Sequence, residues 1–373
     1  MGTMAGTLPS VVVFAAGAVT VLATAISAVQ TLVVPRATPM LLTRWVFRGV
    51  RVPFHLRYRY AKDYVEQERA MALYGPLGLI SLAVAWLLLI GSGYVLMYWA
   101  LGVRPVRHAV VLSGSSMFTL GFVVPKDLPS TVLAFTQAAF GIGVIAMLIS
   151  YLPSTYASFS RREAAVAGLD IRAGSPPSPA ELLIRYTRID GLDRLDEVWR
   201  TWQSWFTDIE ETHTSLPAIA YFRSPDPRRS WVTAAGAVLD AASITASTLD
   251  QERSTEAQLC IRAGYITLRK IAGVFGIGFD PDPQWPGQQI SVAKHEFDEV
   301  YDELAGEGVP VKTDREQAWR DFAGWRVNYD AVLLALAAFT FAPPAKWSSD
   351  RSPEVPLLPL LPPLTRRRNP PRR

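Results

Sequence analysis

Three long runs of uncharged, mostly apolar residues occupy the first 160 positions, and beyond them apolar residues recur at three- and four-residue spacing. The first run, residues 8–34, holds 27 residues. At 1.5 Å rise per residue it exceeds the roughly 30 Å hydrocarbon core of a bilayer. Residues 70–103 and 128–160 form the second and third runs, each long enough to span with tilt. Between them, residues 106–118 are apolar with small hydroxyl side chains and predict a helix of about three turns, too short to span. The pattern predicts an all-α chain with three transmembrane helices plus a re-entrant loop, followed by an all-α cytoplasmic domain. Pro153 is expected to end the third helix, because proline disrupts helical continuation.

The segment boundaries follow composition. Residues 1–34 form a first transmembrane helix, 35–69 a basic cytoplasmic linker, 70–160 a helix–loop–helix module, and 161–342 a helical cytoplasmic domain. Residues 343–373, with nine prolines and arginines at 366–368 and 372–373, read as a disordered tail. In the fourth segment Ser178, with Glu181 three residues on, predicts a helix cap. Leu195, Val198, Trp199, Trp202, Trp205, Phe206 and Ile209 mark one apolar helix face, read as core. Further helices are expected over residues 231–249, 255–275, 292–305 and 315–341. The apolar stretch 331–342 suits a buried helix better than a fourth span.

Charge supplies orientation. The linker 35–69 carries Arg36, Arg44, Arg48, Arg51, Arg57, Arg59, Lys62 and Arg69 against Asp63, Glu66 and Glu68, which places it on the cytoplasmic side. The N-terminus and the 106–127 loop then face outward, Arg161-Arg162 return the chain to the cytoplasm, and the protein is expected as a multi-pass plasma-membrane protein. Ala23-Thr24-Ala25 would serve as a signal-peptide cleavage site, but residues 1–10 lack Lys and Arg, so an uncleaved anchor is expected. The net charge of +4 conceals the local basicity of the linker, which suits anionic lipid headgroups. The same arginines carry no nucleic-acid-binding motif. The single cysteine, Cys260, excludes an intrachain disulfide.

The remaining polar residues carry no catalytic or cofactor signature. Gly273, Gly276 and Gly278 do not have dinucleotide-binding spacing, and no P-loop or Ser/His/Asp order occurs. Glu210 and His213 make one Glu-x-x-His pair where a di-iron bundle needs two, and read as a polar cluster at a helix end. Asp280-Pro-Asp-Pro283 signals a turn. The chain is not expected to be an enzyme, and no cofactor is expected.

Residues 108–153 resemble the pore module of the bacterial potassium and ion-channel superfamily, of the two-transmembrane pore-loop type. Thr119-Leu120-Gly121-Phe122 stands where that family has Thr-Val-Gly-Tyr, preceded by Ser113 and Ser116 and followed by Pro125 and a helix carrying Gly141 and Gly143. Most of the remainder is similar to a group of actinobacterial membrane proteins that share Phe159-Ser-Arg-Arg-Glu163, Arg172-Ala-Gly-Ser-Pro-Pro177 and Trp325-Arg-Val-Asn-Tyr329. That second likeness brings no chemistry. The pore resemblance implies a potassium-channel-like cation channel in which the backbone of Thr119, Leu120, Gly121 and Phe122 coordinates a monovalent cation, K+ in the family. Lys126 and Asp127 would then lie at the mouth, and Gly141 and Gly143 where such helices bend, the alternative for the two glycines being tight helix packing by small residues. A ring of carbonyls needs four chains, so a homotetramer is expected. This filter departs from the family at Val123-Val124, which replace a glycine and an acidic residue, so potassium selectivity is not implied for the outer part. The alternative is a non-conducting membrane scaffold or signalling protein, with a degenerate pore module and a partner-binding helical domain.

Overall fold

The computed structural model describes residues 8–34, 41–60, 66 and 71–351. These residues are helical, joined by turns and loops, without strands; an isolated bridge pairs Leu249 with Val311. Most of residues 35–40 and 61–70 of the basic linker, and the arginines of 366–373, lie outside the described residues. The chain divides into two compact units, residues 1–56 with 73–157 and residues 57–72 with 158–373.

The first unit is built from α1 (Leu8–Leu32), α2 (Leu41–Tyr60), α3 (Tyr74–Ala100), α4 (Val106–Met117) and the first part of α5 (Leu128–Ala173). Of these, α1, α3 and α5 are long and apolar enough to cross a membrane. Small residues let α1 and α3 approach closely: a methyl group added to Gly93 would lie 2.8 Å from the Gly17 carbonyl oxygen. Membrane helices associate by such close contacts, because lipid offers no hydrophobic drive between them. Trp86 Nε1 donates to Ser27 Oγ across the same pair at 3.4 Å. The helix α5 does not end at Pro153. It runs 46 residues to Ala173 with the proline inside it. In the turn that follows, the Ser154 and Thr155 hydroxyls donate to the Tyr151 carbonyl.

The second unit contains the end of α5 and then α6 (Pro179–Arg188), α7 (Leu195–Ser215), α8 (Trp231–Ser247), α9 (Thr255–Phe275), α10 (Lys294–Gly306), α11 (Arg315–Arg326) and α12 (Asp330–Thr340). Every residue of α8 except Ala246 is buried, so α8 is the centre around which α6, α9, α11 and α12 pack. The face read from α7 is core, with all seven of its apolar residues buried. Ser178 caps α6 by accepting from Glu181 N–H. The expected helix over 315–341 is two helices, separated where the Asn328 side chain donates to the Gly324 and Trp325 carbonyls. Residues 343–351, read from composition as the start of the tail, pack on this unit: Trp347 is fully buried against Phe322 and Arg351 pairs with Glu296. Its two hydrogen bonds from Arg351 hold the Glu296 carboxyl down at about 2.

Two buried arginines organise the second unit. Arg326 pairs with Asp240 and Asp330 and donates to the Trp347 carbonyl, while Tyr329 OH donates to Asp240. Arg162, in the last third of α5, donates to the Ile219 and Phe222 carbonyls at 3.0 and 2.8 Å and pairs with Glu163. Arg161 beside it is exposed, so only one of the two arginines read as a topology marker reaches solvent.

His213 completes the Arg162 site. Its Nδ1 lies 2.9 Å from the Ile209 carbonyl and its Nε2 3.3 Å from Arg162 Nη1, a pattern that fits a neutral ring with the proton on Nδ1. Burial, and then the Arg162 charge, hold its pKa well below the ordinary value. The unfolded chain therefore binds a proton that the folded chain refuses. The stability contributed is complete above pH ~6.5 and is lost as pH falls below it, by at most about 1.4 kcal/mol per pH unit. Thermal unfolding followed between pH 8 and 5 should show this acid slope, and His213→Gln should flatten it.

Candidate functional site

The short helix α4 begins after Pro105 and has 12 residues, about 18 Å at 1.5 Å each, so it cannot cross a bilayer. Buried polar side chains fasten it to the long apolar helices on either side, α3 and α5. Ser113 Oγ donates to the Gly91 carbonyl of α3 at 3.1 Å and accepts from Gln137 Nε2 of α5 at 2.6 Å. Gln137 Oε1 in turn accepts from Tyr98 OH at 3.1 Å. All three side chains are buried, and each has a partner, which is the condition for keeping polar groups in an apolar interior. Ser113 thus positions α4. Gln137 and Tyr98 were not singled out from sequence, although Gln137 is the one amide side chain in the uncharged run 128–160.

The two glycines of α5 differ in what they touch. A methyl group on Gly141 would overlap the Met117 carbonyl oxygen, so Gly141 allows α5 to lie directly against the end of α4. Gly143 faces open space. The helix is unbroken through both.

At the end of α4 the chain turns sharply. Thr119 N–H donates to the Ser116 carbonyl at 3.1 Å and Leu120 N–H to the Ser115 carbonyl at 2.8 Å, closing the helix with Thr119 in the left-handed region at φ 54°. A β-branched residue there is held at a cost on the order of 1–3 kcal/mol, which the surrounding contacts must offset. Gly121 follows at φ 72°, a conformation glycine adopts freely. Val123 N–H donates to the buried Ser115 Oγ at 3.3 Å, returning the chain to α4. Among the described residues, the carbonyls of Thr119, Leu120, Gly121 and Phe122 accept no hydrogen bond. The side chains of Leu120 and Phe122 are 62% and 64% exposed.

The last residues before α5 have separate roles. Asp127 caps α5, its carboxylate accepting from Ser130 N–H and Ser130 Oγ at 2.9 and 3.0 Å. Lys126 beside it is exposed. The partially negative C-terminal end of α4, about half an elementary charge for a helix, lies at the start of the loop. The loop therefore combines neutral carbonyl oxygens with a helix end that favours cations, and no anionic side chain reaches it before Asp127. Among the described residues, no cluster of His, Cys, Asp or Glu could hold a metal ion.

Elsewhere the structure separates residues that the sequence placed together. Glu210 pairs with Lys270 at 2.6 Å, while His213 turns inward to Arg162. Asp280 accepts from Asp282 N–H within its turn. No family model, curated protein or solved structure matches the chain.

Proposed function

We propose that the chain forms a homotetrameric cation channel of the potassium-channel type, with four copies of the 119–122 loop converging on an axis. In this reading α4 is a pore half-helix, α3 and α5 are the flanking transmembrane helices, and the second unit is a cytoplasmic assembly or gating domain. The observation that carries it is the run of four backbone carbonyls, Thr119 to Phe122, without hydrogen-bond partners among the described residues, at the end of a half-helix between two spans. Irregular backbone at membrane depth persists only where protein buries it or it lines water. Carbonyl oxygens are hard, neutral ligands that replace the hydration shell of a monovalent cation when several chains supply them. The long apolar face of α5, with Val132, Phe135, Ile142, Ile145 and Ile149 exposed in a single chain, leaves area for lipid and for neighbouring copies.

The loop does not repeat the potassium pattern beyond Phe122. Val123 does not take up a positive φ and is tied back to Ser115, unlike the glycine that continues a potassium filter, so in this reading coordination extends no further than Phe122. Weak discrimination between K+ and Na+ is therefore expected. The same tie favours the second reading, a non-conducting scaffold that keeps the hairpin for packing. Recording from purified, size-verified protein in planar bilayers under a K+/Na+ gradient separates the two. Discrete currents reversing near 0 mV are expected from a weakly selective channel. Silence from folded tetramers across voltage, pH and Ca2+ would leave the scaffold.

A further inference from the structure

We propose that α2 is an interfacial helix that lies in the headgroup layer of the membrane and gathers anionic lipid. The inference rests on α1 and α3 spanning the bilayer and not on conduction. The helix is sorted into faces. At 3.6 residues per turn, Leu41, Trp45, Val52 and Leu56 fall within about 60° of one another. They are 73%, 62%, 49% and 50% exposed, an uncovered apolar stripe. Arg44, Arg48 and Arg51 occupy the next 60° or so, partly exposed, and beyond them Phe47 and Phe54 face the protein.

Its location matches a membrane boundary. Phe47 packs on Gly78 in the first turns of α3, and the Tyr74 hydroxyl donates to the Phe47 carbonyl at 3.2 Å. At the other end, Thr43 and Thr31 hydroxyls lie 3.2 Å apart, beside the end of α1. The helix therefore sits at the ends of two spans, where the bilayer interface falls. Charge selects the occupant. No Asp or Glu occurs in residues 41–60, so a second copy of this face would set arginine against arginine. An anionic lipid surface satisfies both stripes: acyl chains cover Trp45 and its neighbours, and headgroup phosphates meet the arginines.

The test uses full-length protein in lipid nanodiscs with a fluorophore on Val52→Cys. Cys260 is fully buried and its thiol is pushed up by that burial, so it escapes labelling in the folded protein. Bromine-labelled acyl chains should quench the probe, and more strongly when carried by phosphatidylglycerol than by phosphatidylcholine at equal content. Each arginine near the surface contributes a preference of about fivefold, so Arg44→Gln, Arg48→Gln and Arg51→Gln together should make the two lipids equivalent. High salt applied to the protein with its arginines intact should weaken the preference in the same direction, which covers the case of a triple variant that does not fold. An unquenched probe means water or protein covers the stripe, and equal quenching by both lipids means no anionic preference. Either result overturns the proposal.

Discussion

Gly121→Val should abolish current while leaving the protein folded and its assembly state unchanged. Gly121 sits at φ 72°, where glycine is at ease and a β-branched residue is a genuine outlier. Crowding is not the reason, because nothing lies within 4 Å of a side-chain carbon built there. The strain comes from the backbone itself, on the order of 1–3 kcal/mol, and the loop can relieve it only by rotating its peptides. Rotation turns away the carbonyls that four copies would aim at one ion, and coordination by several carbonyls fails together. The fold has little at stake, since Leu120 and Phe122 are exposed and α4 is held by Ser113, Gln137 and Tyr98. Gly121→Ala, with a smaller penalty in the left-handed region, should reduce current without removing it. Single-channel recording beside size-exclusion and thermal unfolding reads all three quantities. Current of ordinary amplitude from the valine variant would remove the carbonyl assignment.

The three candidate spans were legible because length and apolar composition define them, and α1, α3 and α5 are long and apolar enough to cross a membrane. The core face of α7 and the Ser178 cap were legible because helical spacing and capping act over a few residues. Long-range polar partners were not. Pro153 signals a stop locally, yet α5 continues, because the packing of Val166, Leu169 and Ala173 in the core of the second unit outweighs one missing amide. At the candidate site the sequence places Thr119 to Phe122 between two spans, but it does not show that Ser115 binds Val123 N–H or that Gly141 touches Met117. Both depend on pairs eight or more residues apart. Asp240 left a trace: it is the sole charged residue of α8, which a lone carboxylate survives only with a buried partner. Arg326, the last residue of α11, is that partner, and Asp330, the first residue of α12, is its second counter-charge.

Arg326→Met should destabilise the second unit by about 3–5 kcal/mol, because one change strips the partner from two buried carboxylates at once. Arg326 is fully buried, with Asp240 1% and Asp330 8% exposed at their side chains. Burial alone would lower the Arg326 pKa, and Asp240 and Asp330 raise it above its usual range, so the guanidinium is charged throughout the working pH range. Methionine fills a similar volume, which separates loss of charge from loss of packing. It leaves Asp240 without its cation and the Trp347 carbonyl without a donor, and loosens residues 343–351. For a unit of this size the midpoint of thermal unfolding should fall by roughly 10 °C. Arg326→Lys keeps the charge but not the planar fork, and should fall between the two. Acid gives an independent check with the opposite sign to His213. Burial already pushes the Asp240 carboxyl up, and without Arg326 nothing opposes that push on the same scale. The variant's folded state would then bind protons that its unfolded state releases above pH ~4, so its deficit relative to the original should narrow as pH falls toward 4 and widen as it rises. Adding Asp240→Asn should recover part of the loss at neutral pH, since no unpaired charge is then left at that position. A deficit below about 1 kcal/mol, or one independent of pH, would show that Asp240 reaches water and that the network does not hold α8, α11 and α12 together.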